Sequence, residues 1–379
     1  MKETESKAVQ YPRTYPSLKR GDEMIIGIIT SGGDSPGMNM AVASVVKGCL
    51  ANGIRPFGVR RGYNGILGRA ENLTDEIMEL DAHIVREIEN RAGTFLKTDR
   101  CDEFMKPEVQ QQAVDHLRQI GVDALVVIGG DGSFNGALRL VEHGFPCVCI
   151  PATIDNDLGY SEITLGFDTA VNDCVDSVRS IRATSRSMGR PAVVEVMGRH
   201  CGEIALHTAM ATGAEILVVP EIKWSFDEIA ARLNQELAMG NNYATIIASE
   251  NCWDNRSDMD FNWQDFLMNY PDEKYRKKDV VPGERMTVNR MASVLKRKCH
   301  MAEVRATTVG YSQRGNAPTG RDAAFAFEAG QLAVSLLVRK RYNRAIGMRL
   351  GRIYHISITE ALGIPRFFNY ENYDQINKQ

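Results

Sequence analysis

ALVVIGGDGS at 124–133 and CVCIPATIDND at 147–157 decide how this chain folds. Each is a short apolar run, rich in β-branched residues, that ends in small residues and acids. Runs of that length and character predict buried strands of a parallel sheet. The acids then sit at the carboxyl ends of two strands: Asp131 after the first, Asp155 and Asp157 after the second. Open α/β sheets collect their ligands at that edge. A glycine turn beside an aspartate suits a phosphate with its Mg²⁺, and a second carboxylate nearby can act on a substrate hydroxyl.

IIGIITSGGDSPGMN at 25–39 repeats the theme as a strand, a glycine-rich turn and a helix start. Gly32 and Gly33 let the backbone approach a phosphate, and the N–H groups of a helix N-terminus favour an anion. A tight strand–helix turn without a ligand accounts for this segment equally well. GGDG by itself is also found in NAD kinases and lipid kinases.

Outward from these runs, strands and helices alternate nearly throughout. Strands are predicted at 24–30, 55–60, 123–129, 146–151, 191–196, 215–219, 243–249, 303–310 and 344–349. Helices are predicted at 38–52, 81–90, 107–120, 134–143, 167–188, 201–212, 225–239, 286–299 and 320–339. That order predicts an α/β fold of parallel sheets with helices on both faces. Residues 251–285 break it with a polar, aromatic, turn-rich stretch after Glu250. We read this stretch as a surface insertion packed at a subunit contact; a mobile functional segment is the alternative.

The 379 residues are 44% hydrophobic and 25% charged, enough for two globular domains. A net charge of −3 provides no global field to recruit nucleic acid. No apolar run approaches the ~20 residues of a membrane span, and residues 1–22 lack the apolar core of a secretory signal. None of the eight cysteines has metal-ligand spacing, which predicts reduced thiols in a cytoplasmic protein.

Further motifs line up: GTFL at 93–96 with Arg100, VMGR at 196–199 and QRG at 313–315. With SGGDSPGMN, GGDGS and TIDND they occur in the order and spacing of the 6-phosphofructokinases, which this chain closely resembles from about residue 24 to 363. The resemblance implies two doubly wound, Rossmann-like domains with the active site in the cleft between them. The nucleotide-binding domain would be 23–166 with 313–363, and the sugar-phosphate domain 167–312. Residues 1–22 would form an N-terminal extension and 364–379 a C-terminal tail. The implied reaction is ATP-dependent phosphorylation of fructose 6-phosphate to fructose 1,6-bisphosphate, with Mg²⁺, in a homotetramer or a dimer.

By the same resemblance, Gly33, Tyr63, Arg100, Cys101, Gly130, Asp131, Gly132, Ser133 and Gly136 serve ATP, and Asp131 holds the metal. Thr153, Ile154, Asp155, Met197, Gly198, Arg199 and Glu250 hold the sugar phosphate. Arg190 and Arg305 reach in from a neighbouring subunit, and Tyr311, Ser312, Gln313 and Arg314 complete the phosphate pocket. Physical chemistry supports these roles. Phosphoryl transfer needs positioning and charge neutralisation more than covalent chemistry. Arginine's planar fork suits phosphate oxygens at Arg100 and Arg199. Thr153 offers a hydroxyl to the phosphoryl group, and Asp155 is placed to take the proton of the attacking hydroxyl. Turn capping is the alternative for Asp155 and Asp157.

Gly132 and Ala152 bear on the donor. In the family's pyrophosphate-dependent members the matching residues look like aspartate and lysine, so ATP is expected and pyrophosphate is the alternative. A catalytically silent regulatory subunit, the reading from another class, should lose acid or base, whereas Asp131, Asp155, Arg199 and Arg314 are all present. Tyr311 replaces the histidine usual in bacterial members. The bacterial effector site maps to Ala43, Lys47, Ala82, Arg182, Met239, Asn241 and Tyr243, where only Lys47 and Arg182 are basic.

Overall fold

A computed structural model describes residues 15–258, 286–301 and 303–378. Most of the insertion expected at 251–285, and residues 1–14 of the N-terminal extension, lie outside them. The chain divides into two compact units, Met1–Ala170 with Arg314–Phe367, and Val171–Gln313 with Phe368–Gln379.

The first unit is built on a seven-stranded sheet in the order β11-β10-β5-β4-β1-β2-β3. Its strands are β1 (Ile25–Ser31), β2 (Arg55–Val59), β3 (Ile77–Glu79), β4 (Ala124–Gly129), β5 (Cys147–Pro151), β10 (Arg344–Arg349) and β11 (Arg352–Ser357). β5, β4, β1 and β2 run parallel, as the apolar runs predicted. The two edge strands, β3 and β11, were not expected and pair antiparallel with β2 and β10. The expectation of a wholly parallel sheet is therefore corrected to a mixed one. At β11 a tight return explains it: Leu350 and Gly351 both take left-handed backbone (φ 51° and 66°) in a two-residue hairpin turn, whereas β3 comes back to β2 after the longer segment 60–76.

The central strands are apolar on both faces because both faces are covered. Ile26, Ile28, Val126 and Ile128 pack in one core with helices α1 (Met38–Ala51) and the long helix Gly320–Val338. Ile25, Ile29, Leu125 and Val127 pack in another with helix Pro107–Ile120. Each such side chain contributes roughly 1.5–3 kcal/mol by leaving water. The described part of the N-terminal extension is tied down, with the Leu18 N–H donating to Ile120 O at 2.8 Å and the Tyr15 hydroxyl to Ala70 O at 2.5 Å.

The second unit has a four-stranded sheet in the order β7-β8-β6-β9: β6 (Ala192–Val196), β7 (Ile216–Val218), β8 (Thr245–Ser249) and β9 (Arg305–Thr308), all parallel. The expected C-terminal tail contains a helix, Tyr370–Asn377. Asn377 grips the backbone of Leu217 through both ends of its amide, at 3.0 and 3.1 Å.

Asp322, fully buried in the first turn of helix Gly320–Val338, ties this helix to the start of helix Phe167–Met188. Its carboxylate accepts from the N–H groups of Gly166 (3.0 Å) and Thr169 (2.8 Å) and from the Thr169 hydroxyl (2.5 Å). Asp322→Ala would leave those donors without an acceptor, at a cost of about 3 kcal/mol. Burial pushes the carboxyl up to about 6, against the pull of the Thr169 and Gly166 donors. The native state therefore holds this proton more tightly than the unfolded chain. The group's share of stability falls as pH rises from its ordinary 3.8 to about 6 and is level above. Denaturant midpoints should show Asp322→Ala costing more at pH 4 than at pH 7.

Candidate active site

In the first unit, Ser31, Gly129 and Pro151 end adjacent parallel strands in register. β1 leads to β2 on one side and β4 joins it on the other, so the chain order reverses between β1 and β4, at a switch point where ligands bind. The three loops predicted from sequence leave from this edge. They touch: the Ala152 N–H donates to Gly129 O at 2.9 Å, and a Cβ placed on Gly130 would stand 3.3 Å from Thr153. A Cβ on Gly129 would fall 2.4 Å from the Ser133 hydroxyl and 2.6 Å from Ser31 O, so only glycine permits this crossing.

Asp131 opens helix Asp131–Glu142, exposed, with Asn135 Nδ2 donating to its carboxylate at 3.1 Å. Ser133 is buried, while Gly132 faces open space. Asp155 is buried (8% exposed), and its N–H donates to Thr153 Oγ1 at 3.2 Å. Ile154 is fully buried, so its side chain belongs to the core and leaves only its backbone for a ligand. Gly32 is left-handed (φ 90°), and its carbonyl accepts from Thr98 Oγ1 at 2.7 Å, which sets the segment bearing Arg100 and Cys101 against the first glycine turn. Arg100 is exposed.

Two placements alter the expected roles. Tyr63 is buried, its hydroxyl donating to Ser133 O at 2.5 Å, and a Cβ on Gly136 would strike its ring at 2.6 Å. Gly136 thus makes room for Tyr63, and Tyr63 braces the helix of the GGDG loop from beneath. Arg314, expected beside the sugar phosphate, lies over the first glycine turn: Nη1 donates to Asp34 O at 2.7 Å and stands 3.0 Å from where a Gly33 Cβ would be.

In the second unit, Met197–Arg199 follows β6 and Glu250 follows β8, the strand next to it. Glu250 Oε1 accepts from the N–H groups of Gly198 (3.1 Å) and Arg199 (2.7 Å). The carboxylate so shapes a loop in which Gly198 and Arg199 both have positive φ (140° and 56°). Gln313, expected in the phosphate pocket, is part of the internal scaffold. It is fully buried, its Oε1 accepts from Met197 N–H and Cys174 Sγ at 3.1 Å each, and its Nε2 donates to Gly310 O at 2.9 Å. Ser312 donates to Val309 O at 3.1 Å, and Tyr311 is 84% exposed.

Arg190 and Arg305 stand together because β6 and β9 pair there, Ala192 beside Arg305. One carboxylate, Glu303, joins them, at 2.5 Å from Arg190 and 2.6 Å from Arg305. Sequence reasoning passed over Glu303. Its only signal was an acid two positions before an arginine expected to bind an anion.

A sequence model of the family described as Phosphofructokinase matches residues 25–337. The chain belongs to the phosphofructokinase family. An ATP-dependent 6-phosphofructokinase of Alkaliphilus metalliredigens is 39% identical over 349 residues, covering 92% of this chain and 97% of that one. Among solved structures, phosphofructokinase from Saccharomyces cerevisiae superposes with a TM-score of 0.76 at 28% identity, over 93% of this chain and 50% of that one. A pyrophosphate-dependent phosphofructokinase from Marinobacter aquaeolei has a TM-score of 0.74 over 92% of this chain and 88% of its own. At 17% identity it is a likeness of fold alone. The mixed sheet of the first unit and the parallel sheet of the second are therefore those of the phosphofructokinase fold. Among the described residues no helix is long and apolar enough to cross a membrane.

Proposed function

We propose that this chain transfers the γ-phosphoryl group of ATP to the 1-hydroxyl of fructose 6-phosphate, giving fructose 1,6-bisphosphate in the cytoplasm. The observation that carries this reading is the register of Gly129 with Pro151. It sets a phosphate-type glycine turn and a buried carboxylate, Asp155, at the ends of neighbouring strands.

Asp155 takes the proton of the attacking hydroxyl, and Thr153 steadies the phosphoryl group beside it. Gly33 and Gly130–Ser133 bring backbone N–H groups near the phosphates, and Arg100 and Arg314 supply positive charge at the first glycine turn. Met197–Arg199 and Glu250 bind the sugar, and Arg190 and Arg305 serve a neighbouring subunit's site in a tetramer. Asp131 fits Mg²⁺: an exposed hard carboxylate on a rigid helix start, without a third acid, histidine or cysteine gathered there among the described residues. Mg²⁺ is commonly bound in this way, by one or two carboxylates plus substrate phosphates and water. When bound it neutralises charge on the phosphates.

Gly132 favours ATP over pyrophosphate. Nothing in the protein lies within 4 Å of where its Cβ would be. An aspartate there would fold without a clash and act only on what binds outside. Pyrophosphate should support at most a few per cent of the ATP rate, and Gly132→Asp should raise the KM for ATP at least tenfold while thermal stability holds. A faster reaction with pyrophosphate would overturn the donor assignment.

A further inference from the structure

We propose that Asn156 is the positioning residue for Asp155, acting through Thr164, which staples the TIDND loop to the segment that also braces the first glycine turn. The proposal rests on the reading of Asp155 as general base. Asn156 is buried and left-handed (φ 52°), a conformation that asparagine tolerates better than most side chains. Its Oδ1 accepts from the Thr164 N–H at 2.9 Å and lies 3.3 Å from the Thr164 hydroxyl, and its Nδ2 donates to Glu162 O at 3.4 Å. The Thr164 hydroxyl in turn donates to Thr153 O at 2.6 Å. Asp155 therefore lies between two residues, Thr153 and Asn156, that both bond the same fully buried threonine.

That threonine belongs to a well-anchored segment. Leu165 N–H donates to Pro151 O at 2.9 Å, and Ser35 of the first glycine turn donates its hydroxyl to Leu165 O. A Cβ on Gly37 would strike Leu165 at 2.6 Å. One position further, the Gly166 N–H is held by Asp322. Residues 164–166 thus bond the base loop on one side and the donor-phosphate turn on the other. A proton acceptor must be held to a fraction of an ångström relative to the phosphoryl group, and misplacement by ~1 Å can cost about 10²-fold. Asn156 and Thr164 are the side chains that carry that registration to Asp155.

The test compares Asn156→Gly, Thr164→Val and Thr164→Ser in the full chain by steady-state kinetics with ATP and fructose 6-phosphate. Glycine keeps the left-handed backbone and removes the side-chain bonds. Valine keeps the shape of threonine without its hydroxyl, and serine restores the hydroxyl. Asn156→Gly should lower kcat at least about tenfold and Thr164→Val about three- to tenfold, with the KM for ATP within about twofold. Thr164→Ser should stay near the parent rate. A kcat within threefold of the parent in Asn156→Gly overturns the proposal, as does a Thr164→Ser rate no better than that of Thr164→Val. If Asn156→Gly does not fold, the valine–serine pair decides. If Asp155→Ser itself keeps its rate, the general-base reading falls and this one with it. If Asp155→Ser is slow and Asn156→Gly is not, only the positioning role fails.

Discussion

Replacing Asp155 with serine should lower kcat by at least ~10²-fold, the range expected for loss of a positioned general base. Serine keeps a small polar group next to Thr153 and removes the proton acceptor. ATP binding, measured separately by titration, should change little, because the GGDG loop keeps its own supports. Those are the Gly130 O to Ser133 N–H bond at 3.0 Å and the Tyr63 hydroxyl on Ser133 O. A capping role makes the opposite prediction. Asp155 would then hold a turn, and its loss would appear in thermal stability with kcat nearly intact. A fall of less than fivefold would take Asp155 out of the chemistry. The sign follows from the placement of the carboxylate, buried in the loop that leaves β5, with the Asp155 N–H held by Thr153 Oγ1.

The strands and glycine turns that hold these residues were legible because they obey short-range rules. Apolar runs such as ALVVIG have one stable use in a domain of this size, and the loops after them inherit their place from strand order. The edges were not legible. β3 is three residues long, and β11, RIYHIS, is largely half-buried, so neither carries the apolar signature of a central strand. The site followed the same division. Asp131, Asp155 and Glu250 stood out as candidates because acids at strand ends are conspicuous. Gln313 and Tyr63 were expected at ligands, and their role as internal supports was not foreseen. Whether a polar group faces a ligand or the core depends on packing between distant segments, which one sequence does not display. Glu303, Thr164 and Asp322 were missed for the converse reason. Asp322 bonds residues more than 150 positions away, Thr164 works through a loop whose fold its residue type does not announce, and Glu303 shows itself only once Arg190 is brought beside Arg305.

Response to the anionic effectors of bacterial relatives should be weak or absent. Of the positions that resemblance assigns to that effector site, Ala43, Ala82, Met239 and Asn241 offer no cation. The two that do are engaged by the protein's own carboxylates. Lys47 pairs with Glu89. Arg182 grips Glu215 with two hydrogen bonds of 2.8 and 2.9 Å, in a largely buried pair. Asn241 also donates to Glu215, at 3.2 Å, and Thr245 N–H does so at 2.7 Å. Burial alone would raise the Glu215 carboxyl, but the Arg182, Thr245 and Asn241 donors outweigh it and hold it below the usual range. A diphosphate arriving there would have to displace a well-bonded carboxylate and then bind without its usual cations. Each missing charge-assisted hydrogen bond is worth about 1.5–3 kcal/mol, so the loss of three or four weakens binding by several powers of ten. Fructose 6-phosphate saturation curves with and without millimolar ADP or phosphoenolpyruvate should therefore superimpose to within about twofold in half-saturation. A several-fold shift that Arg182→Ala abolishes would show instead that the Arg182–Glu215 pair opens to admit the effector, and that the remaining cations suffice to hold it.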